Sequence, residues 1–222
     1  MFIVEGNIGA GKSTFLSLAQ QHMQDVSIAL EPLQNWQQEI AGNSLLQQFY
    51  QEPERWSYTL ETYAMACRVL DHLREQQERP TKKLMERSIY SGHYCFAKNG
   101  YKEGYMSEME WSLYSTWFNF LIPGTCSKPL GFIYLKTDPT TAFERISKRS
   151  RKGESSISLE YLTQLDQAHD AFLIHKKEVH QELLDVPVLV LDCNKEFEED
   201  KANLQALLNQ ANEFMNQCLS RL

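Results

Sequence analysis

The sequence predicts an α/β fold, a doubly wound five-stranded parallel sheet flanked by helices, and three observations carry that prediction. Five short apolar runs, Phe2-Ile3-Val4, Ser27-Ile28-Ala29-Leu30, Leu84-Met85, Phe132-Ile133-Tyr134-Leu135 and Pro187–Asp192, alternate with longer segments of helical spacing, and strands separated by helices give a parallel sheet. The stretch Gly6-Asn7-Ile8-Gly9-Ala10-Gly11-Lys12-Ser13-Thr14 joins the first run to the first helix and fits the phosphate-loop pattern G-x-x-x-x-G-K-[ST] without a mismatch. Charged residues close two of the runs, as Glu31-Pro32 and Glu86-Arg87-Ser88. That places them at the carboxyl edge, where open parallel sheets bind ligands.

The loop sets the order of the chain. Its glycines let successive N–H groups turn inward onto phosphate oxygens, and the helix that follows adds its positive end. Lys12 can reach the β- and γ-phosphates of a nucleoside triphosphate, and the Ser13 hydroxyl suits Mg²⁺. The first helix is expected to run to about Asp25. After the second strand, residues 35–51 are Gln-rich and read as helical in pieces, with a break near Gly42-Asn43-Ser44.

Pro53 suits a first helical turn, and Trp56, Leu60, Tyr63, Cys67 and Leu70 recur at helical spacing along a long amphipathic helix. A basic connector, Arg79-Pro80-Thr81-Lys82-Lys83, leads into the third strand. Residues 88–99 and 107–121 read as helices, and the second carries Trp111, Leu113, Tyr114, Trp117, Phe118 and Leu121. A helix from Pro139 runs into a stretch that turns basic and then Gly/Ser-rich, expected to form a mobile lid over about 148–157 with Arg149 and Arg151 in it. A long helix over 159–184, the last strand and a helix from about Glu198 complete the chain.

Composition narrows the partners. A chain of 222 residues, 42% hydrophobic and 23% charged, fits one globular domain over 1–222. Its net charge of −7 argues against a nucleic-acid partner but leaves room for a small nucleotide held by local basic residues. Five scattered cysteines without a C-x-x-C suit reduced thiols and a cytoplasmic location. No apolar run reaches membrane-spanning length, and a first strand at residue 2 leads to the expectation of no signal or transit peptide. The six histidines show no metal-ligand spacing.

Among phosphate-loop proteins, a GTPase would need N-K-x-D for guanine, and Asn194-Lys195-Glu196-Phe197 lacks the aspartate. A motor ATPase would need far more chain. A small phosphotransferase remains, which requires an acceptor pocket, a base and a basic lid. A nucleoside monophosphate kinase would need basic residues near Glu31 to hold the acceptor phosphate, and Asn35-Trp36-Gln37-Gln38 offers none. A non-catalytic nucleotide-binding subunit is a third reading, and Glu31, Arg87 and the basic stretch count against it.

At the phosphate loop, Glu31-Pro32 with Trp36, Tyr50, Pro53-Glu54-Arg55-Trp56-Ser57, Glu86-Arg87-Ser88 with Tyr90-Ser91, the basic lid, and Leu159-Glu160-Tyr161-Leu162, the chain resembles the deoxynucleoside kinase family over nearly its whole length. The resemblance implies a P-loop kinase fold, ATP as phosphate donor, Mg²⁺, a small deoxynucleoside as acceptor, and a homodimer built on aromatic-rich helices such as 88–99 and 107–121. It also implies roles. Glu31 takes the proton of the 5′-hydroxyl. Arg87 holds that carboxylate and the phosphoryl oxygens. Glu86 positions Mg²⁺ with Ser13. Lys12, Arg149 and Arg151 meet the charge of the transferring group. Tyr50 and Glu160 grip the sugar 3′-hydroxyl, Leu33, Trp36 and Phe96 wall the base, and positions 61 and 68 face its edge. On the residues alone, Trp36 and Phe96 divide evenly between core and ligand contact.

The chain departs from its relatives at the base. Glu61 stands where the family has a base-reading glutamine, and Gly92-His93 replaces the Asp-Arg that deoxycytidine-type relatives carry after Tyr-Ser. An ionised carboxylate only accepts hydrogen bonds, and guanine presents two donors, N1–H and the 2-amino group. Arg68, seven residues on and nearly two helical turns away, adds a guanidinium that pairs well with guanine O6 and N7. A purine deoxynucleoside, deoxyguanosine first, is therefore expected ahead of a broad, deoxyadenosine or deoxycytidine preference.

Replacing Lys12 with Met is expected to lower turnover with every nucleoside alike, since Lys12 touches only the donor phosphates. Initial rates across a nucleoside panel check this, and a loss confined to one acceptor contradicts it.

Overall fold

The computed structural model describes residues 1–40, 42–77, 82–122, 124–149 and 154–221. Five strands, β1 (Phe2–Gly6), β2 (Val26–Ala29), β5 (Lys82–Glu86), β6 (Gly131–Lys136) and β7 (Val188–Asp192), form one sheet in the order β2-β5-β1-β6-β7. Every pairing in it is parallel, as the alternation of runs and helices predicts. Two-residue strands β3 (Glu39–Ile40) and β4 (Asn43–Ser44) make a separate antiparallel hairpin, which is what the expected break near 42–44 turns out to be.

The period of two along each strand divides the interior between the two faces of the sheet. Phe2, Val4, Ile133 and Leu135 pack with α1 (Lys12–His22) and α10 (Lys201–Leu219), through Phe15, Leu16, Leu204, Leu208 and Met215. Ile3, Phe132 and Tyr134 point the other way, onto α4 (Pro53–Glu75), the segment after β5 and α7 (Glu108–Leu121), through Met65, Tyr90, Tyr94, Tyr114 and Phe118. Ser107 starts α7 in a reciprocal cap with Glu110, which satisfies two N–H groups that the first turn leaves open. Between β2 and α4 lie α2 (Gln34–Gln37) and α3 (Leu45–Gln51).

Three expectations change. The α4 stripe is not the buried face throughout: Leu60 and Cys67 are buried, but Tyr63 and Leu70 are exposed and Trp56 is half-buried. The inward face carries Ser57, Glu61, Arg68 and His72 among its apolar residues, so polar groups sit where an apolar stripe was sought. The segment 88–99 is α5 (Ile89–Ser91), then a π-helical stretch over Gly92–Ala97, then α6 (Lys98–Lys102). The helix expected over 159–184 stops early: α9 (Leu159–His169) passes through a π-turn at Asp170–Ile174 and ends, with only a 3-10 turn at Gln181–Leu183 before β7. Lys136 at the end of β6 ties α9 down, donating to Asp166 at 2.7 Å and Asp170 at 2.8 Å.

The five cysteines are buried, unpaired thiols. Among the described residues, no helix is long and apolar enough to cross a membrane.

Candidate active site

The carboxyl ends of β1, β2 and β5 open on one cleft of about 270 Å³. The phosphate loop forms its floor. Gly9 adopts φ 81° and Gly11 φ 88°, left-handed geometry that favours glycine. A Cβ on Gly9 would also lie 2.5 Å from the Ala142 carbonyl oxygen of α8 (Pro139–Arg149). Ile8, Gly9, Gly11, Lys12, Ser13 and Thr14 line the cleft, whereas Gly6, Asn7 and Ala10 are buried behind it. Asn7 holds the loop from behind, donating to the Leu162 carbonyl at 2.8 Å and accepting from the Ile8 N–H at 2.8 Å. Lys12 folds onto the loop itself and donates to the carbonyls of Asn7 (2.8 Å) and Gly6 (3.2 Å). Burial, and then Arg87, push its ammonium down to about 7.

Parallel pairing sets Glu86 beside Val4 and so beside the start of the loop. One Glu86 oxygen accepts from Ser13 Oγ at 2.7 Å, and the other accepts from the Glu31 N–H at 3.3 Å. The next residue, Arg87, takes φ 61°, a conformation that costs a non-glycine residue about 1–3 kcal/mol and clusters at functional sites. It turns the chain out of β5. The Arg87 N–H donates to the Val4 carbonyl at 2.9 Å, and Ser88 caps the next helix while donating to buried Glu5 at 2.5 Å.

Glu31, just past β2, is the centre of the cleft. Its Oε1 accepts from Arg68 Nη2 at 2.7 Å and Nε at 3.3 Å, and its Oε2 from Arg87 Nε at 3.2 Å. The Glu31 side chain is 6% exposed. Burial pushes the carboxyl up, but Arg87 and Arg68 outweigh it and hold Glu31 below its usual range, so it is ionised near neutral pH. Arg87 also lies 4.6 Å over the Phe96 ring and Arg68 5.4 Å over Trp36.

The rest of the wall is apolar with a few polar groups. Leu33, Trp36, Tyr50, Phe96, Glu61 and Arg68 line it. Glu61 is 7% exposed, and its Oε2 has no hydrogen-bond partner among the described residues. Burial pushes its carboxyl up to about 7, against the pull of Arg68.

Two of the residues singled out sit in other surroundings than the resemblance implies. Glu160 is exposed and outside the cleft wall, because Ser158 caps α9 and leaves Glu160 in its first turn, with Leu162 and Leu165 turned inward instead. A buried carboxylate in the wall that the sequence reading missed is Glu154, which there reads as one acid in a basic run. Arg68, expected at the base, spends two of its donors on Glu31. Arg149 lines the cleft and clasps Glu154 through Nη2 (2.7 Å) and Nε (2.8 Å). Arg151 and the lid residues 150–153 lie outside the described residues, as do 79–81 of the basic connector. Phe49 and Gln37 also line the wall without having been singled out, as does Tyr161, which was quoted in a motif but given no role.

The arrangement pairs a phosphate cradle with an ionised carboxylate across a part-apolar cleft, the geometry for moving a phosphoryl group onto a small hydroxyl compound. Comparisons with known proteins agree. The family model described as deoxynucleoside kinase matches residues 2–216. Deoxyguanosine kinase, mitochondrial, of Xenopus laevis is 37% identical, with 96% of this chain and 88% of that protein covered. Deoxycytidine kinase 2 of Gallus gallus is 35% identical over 96% of this chain and 89% of its own length. Deoxycytidine kinase of Homo sapiens is 35% identical over 96% and 90%.

Proposed function

The chain belongs to the deoxynucleoside kinase family, and from that premise we propose that it transfers the γ-phosphoryl group of ATP to the 5′-hydroxyl of a purine deoxynucleoside, deoxyguanosine first, for nucleotide salvage in the cytoplasm. One observation carries the mechanism: Glu31 faces the phosphate loop across the cleft with both oxygens held by guanidiniums. The 5′-oxygen attacks the γ-phosphorus as the bond to the β–γ bridging oxygen breaks. The hydroxyl proton passes to Glu31, and ADP leaves. Arg87 Nη1, buried without a partner among the described residues, suits a phosphoryl oxygen, and Lys12 exchanges its loop carbonyls for donor phosphates.

Ser13 and Glu86 fit Mg²⁺. They are hard oxygen donors 2.7 Å apart, and Mg²⁺ is usually held by one or two carboxylates together with substrate phosphates. When bound, the ion neutralises charge on the donor phosphates. Tyr50 and Glu154 suit the sugar 3′-hydroxyl, and Leu33, Trp36 and Phe96 the base. With Arg68 engaged by Glu31, the guanine preference rests on Glu61. One domain over 1–222 is part of the same reading, supported by the five-stranded sheet whose strands run from residue 2 to residue 192.

A homodimer is part of the same proposal. Met109, Leu113, Trp117 and Phe120 of α7 are exposed, as are Tyr63 and Leu70 of α4, and the two helices pack against each other. Apolar patches of this kind mark interfaces. Sedimentation equilibrium giving a monomer mass would remove it.

A coupled ADP-release assay with deoxynucleosides, ribonucleosides and monophosphates tests the function, and activity confined to monophosphates overturns it. Glu31→Gln is expected to lower kcat by about 10²–10⁴-fold, the usual share of a general base, with little change in nucleoside KM; near-normal turnover would exclude Glu31 as the base. Glu154→Ala is expected to raise nucleoside KM about tenfold or more, as for a lost buried hydrogen bond to substrate. Glu160→Ala should leave it within about twofold. The reverse order would restore Glu160 to the sugar site.

A further inference from the structure

We propose that Glu61 reads the base through its own protonation: deoxyguanosine is accepted with the carboxyl charged or neutral, deoxyadenosine and deoxycytidine only with it neutral. The inference rests on the kinase reading above and deepens it.

The placement of Glu61 is the ground for it. The carboxyl enters the cleft from α4, buried, with Oε2 unpartnered among the described residues. The charged and titratable groups around it come from six segments: Arg68 on α4 itself, Glu31 beyond β2, Arg87 beyond β5, and the hydroxyls of Tyr50 (α3), Tyr114 (α7) and Tyr161 (α9). Lys12, Glu86 and the Arg149–Glu154 pair are the other charged groups that line the cleft. The two guanidiniums near Glu61 are both bound to Glu31, whose negative charge also repels that of Glu61. Among the described residues the Glu61 carboxylate makes no ion pair, and burial without one favours the neutral form over the remaining pull of Arg68 and Arg87. The outcome is a carboxyl pushed up to about 7.

The two states differ in what they can pair. A carboxylate offers acceptors only, while a carboxylic acid offers one donor and one acceptor, the same pattern as a glutamine amide. Adenine presents the 6-amino donor beside the N1 acceptor, and cytosine the 4-amino donor beside N3. Both match the acid, and both set an acceptor against the carboxylate. Guanine pairs with the carboxylate through N1–H and the 2-amino group, and with the acid through N1–H and O6. Because the folded-state pKa is raised, the acid form prevails below it and is lost as pH rises. Above that point the protonated fraction falls about tenfold per pH unit, and acceptance of deoxyadenosine falls with it while that of deoxyguanosine does not.

The test is the ratio of kcat/KM for deoxyguanosine to that for deoxyadenosine from about pH 6 to about pH 8.5, since kcat/KM reports groups of the free enzyme. Taking the ratio cancels titrations at Glu31 and the donor site, which both substrates share. The expected result is a ratio that climbs about tenfold per unit in the alkaline range and becomes flat in Glu61→Gln, which carries the acid-like pattern permanently. A flat ratio in the wild type, with both nucleosides phosphorylated, overturns the assignment. So does a ratio that climbs as steeply in Glu61→Gln. Should that variant not fold, calorimetry on the wild type in buffers of different ionisation enthalpy decides: deoxyadenosine binding above neutrality takes up a proton, and binding without uptake overturns the proposal. If no deoxynucleoside is phosphorylated, the kinase reading itself fails and this inference falls with it.

Discussion

Glu31 is shared by two guanidiniums in a place where water barely reaches, and that contact fixes three segments far apart in the chain: the end of β2, the middle of α4 and the turn after β5. Removing such charges from water costs several kcal/mol per ion, and the return is good only while every partner is present. The cluster is therefore better understood as a positioning device than as a source of stability. The αL conformation of Arg87 belongs to the same logic: local strain tolerated because the strand pairing, the Val4 hydrogen bond and the Ser88 cap leave the backbone no alternative.

The same economy runs through the whole cleft. Each principal cation is already held by a protein oxygen: Lys12 by loop carbonyls, Arg68 and Arg87 by Glu31, Arg149 by Glu154. A nucleotide arriving here exchanges contacts rather than finding bare charge. Its affinity is a difference between two well-satisfied states, smaller than a count of phosphate contacts implies. A chain of net charge −7 can thus present an anion site without a basic surface.

What the sequence made legible follows from how local each signal is. The phosphate loop, Glu31 and Glu86-Arg87 were readable because a strand end and a motif fix their place together. The inward face of α4 was readable from apolar recurrence only at Leu60 and Cys67, since the same search also selects Tyr63 and Leu70, which face outward. The polar Ser57, Glu61, Arg68 and His72 on that face give no such signal, and Glu61 and Arg68 were placed through the family resemblance alone. The π-helical stretches at Gly92–Ala97 and Asp170–Ile174 leave no periodicity to detect. Glu154 and Glu160 are separated by one cap: Ser158 starts α9 between them, which sends one acid into the cleft wall and the other outward. A motif match alone cannot make that distinction.

Gly92 bears on how this pocket can change. A Cβ built there would lie 2.6 Å from Arg68 Nη1, and that guanidinium is not a free end that can swing aside, because its other nitrogens are on Glu31. Positions 92 and 68 are therefore mutationally coupled. A larger residue at 92 requires Arg68 Nη1 to shift, so substitutions at the two sites are not expected to add. Redesign of this wall of the cleft has to treat glycine and arginine as a single unit, because a change at either one is felt at Glu31.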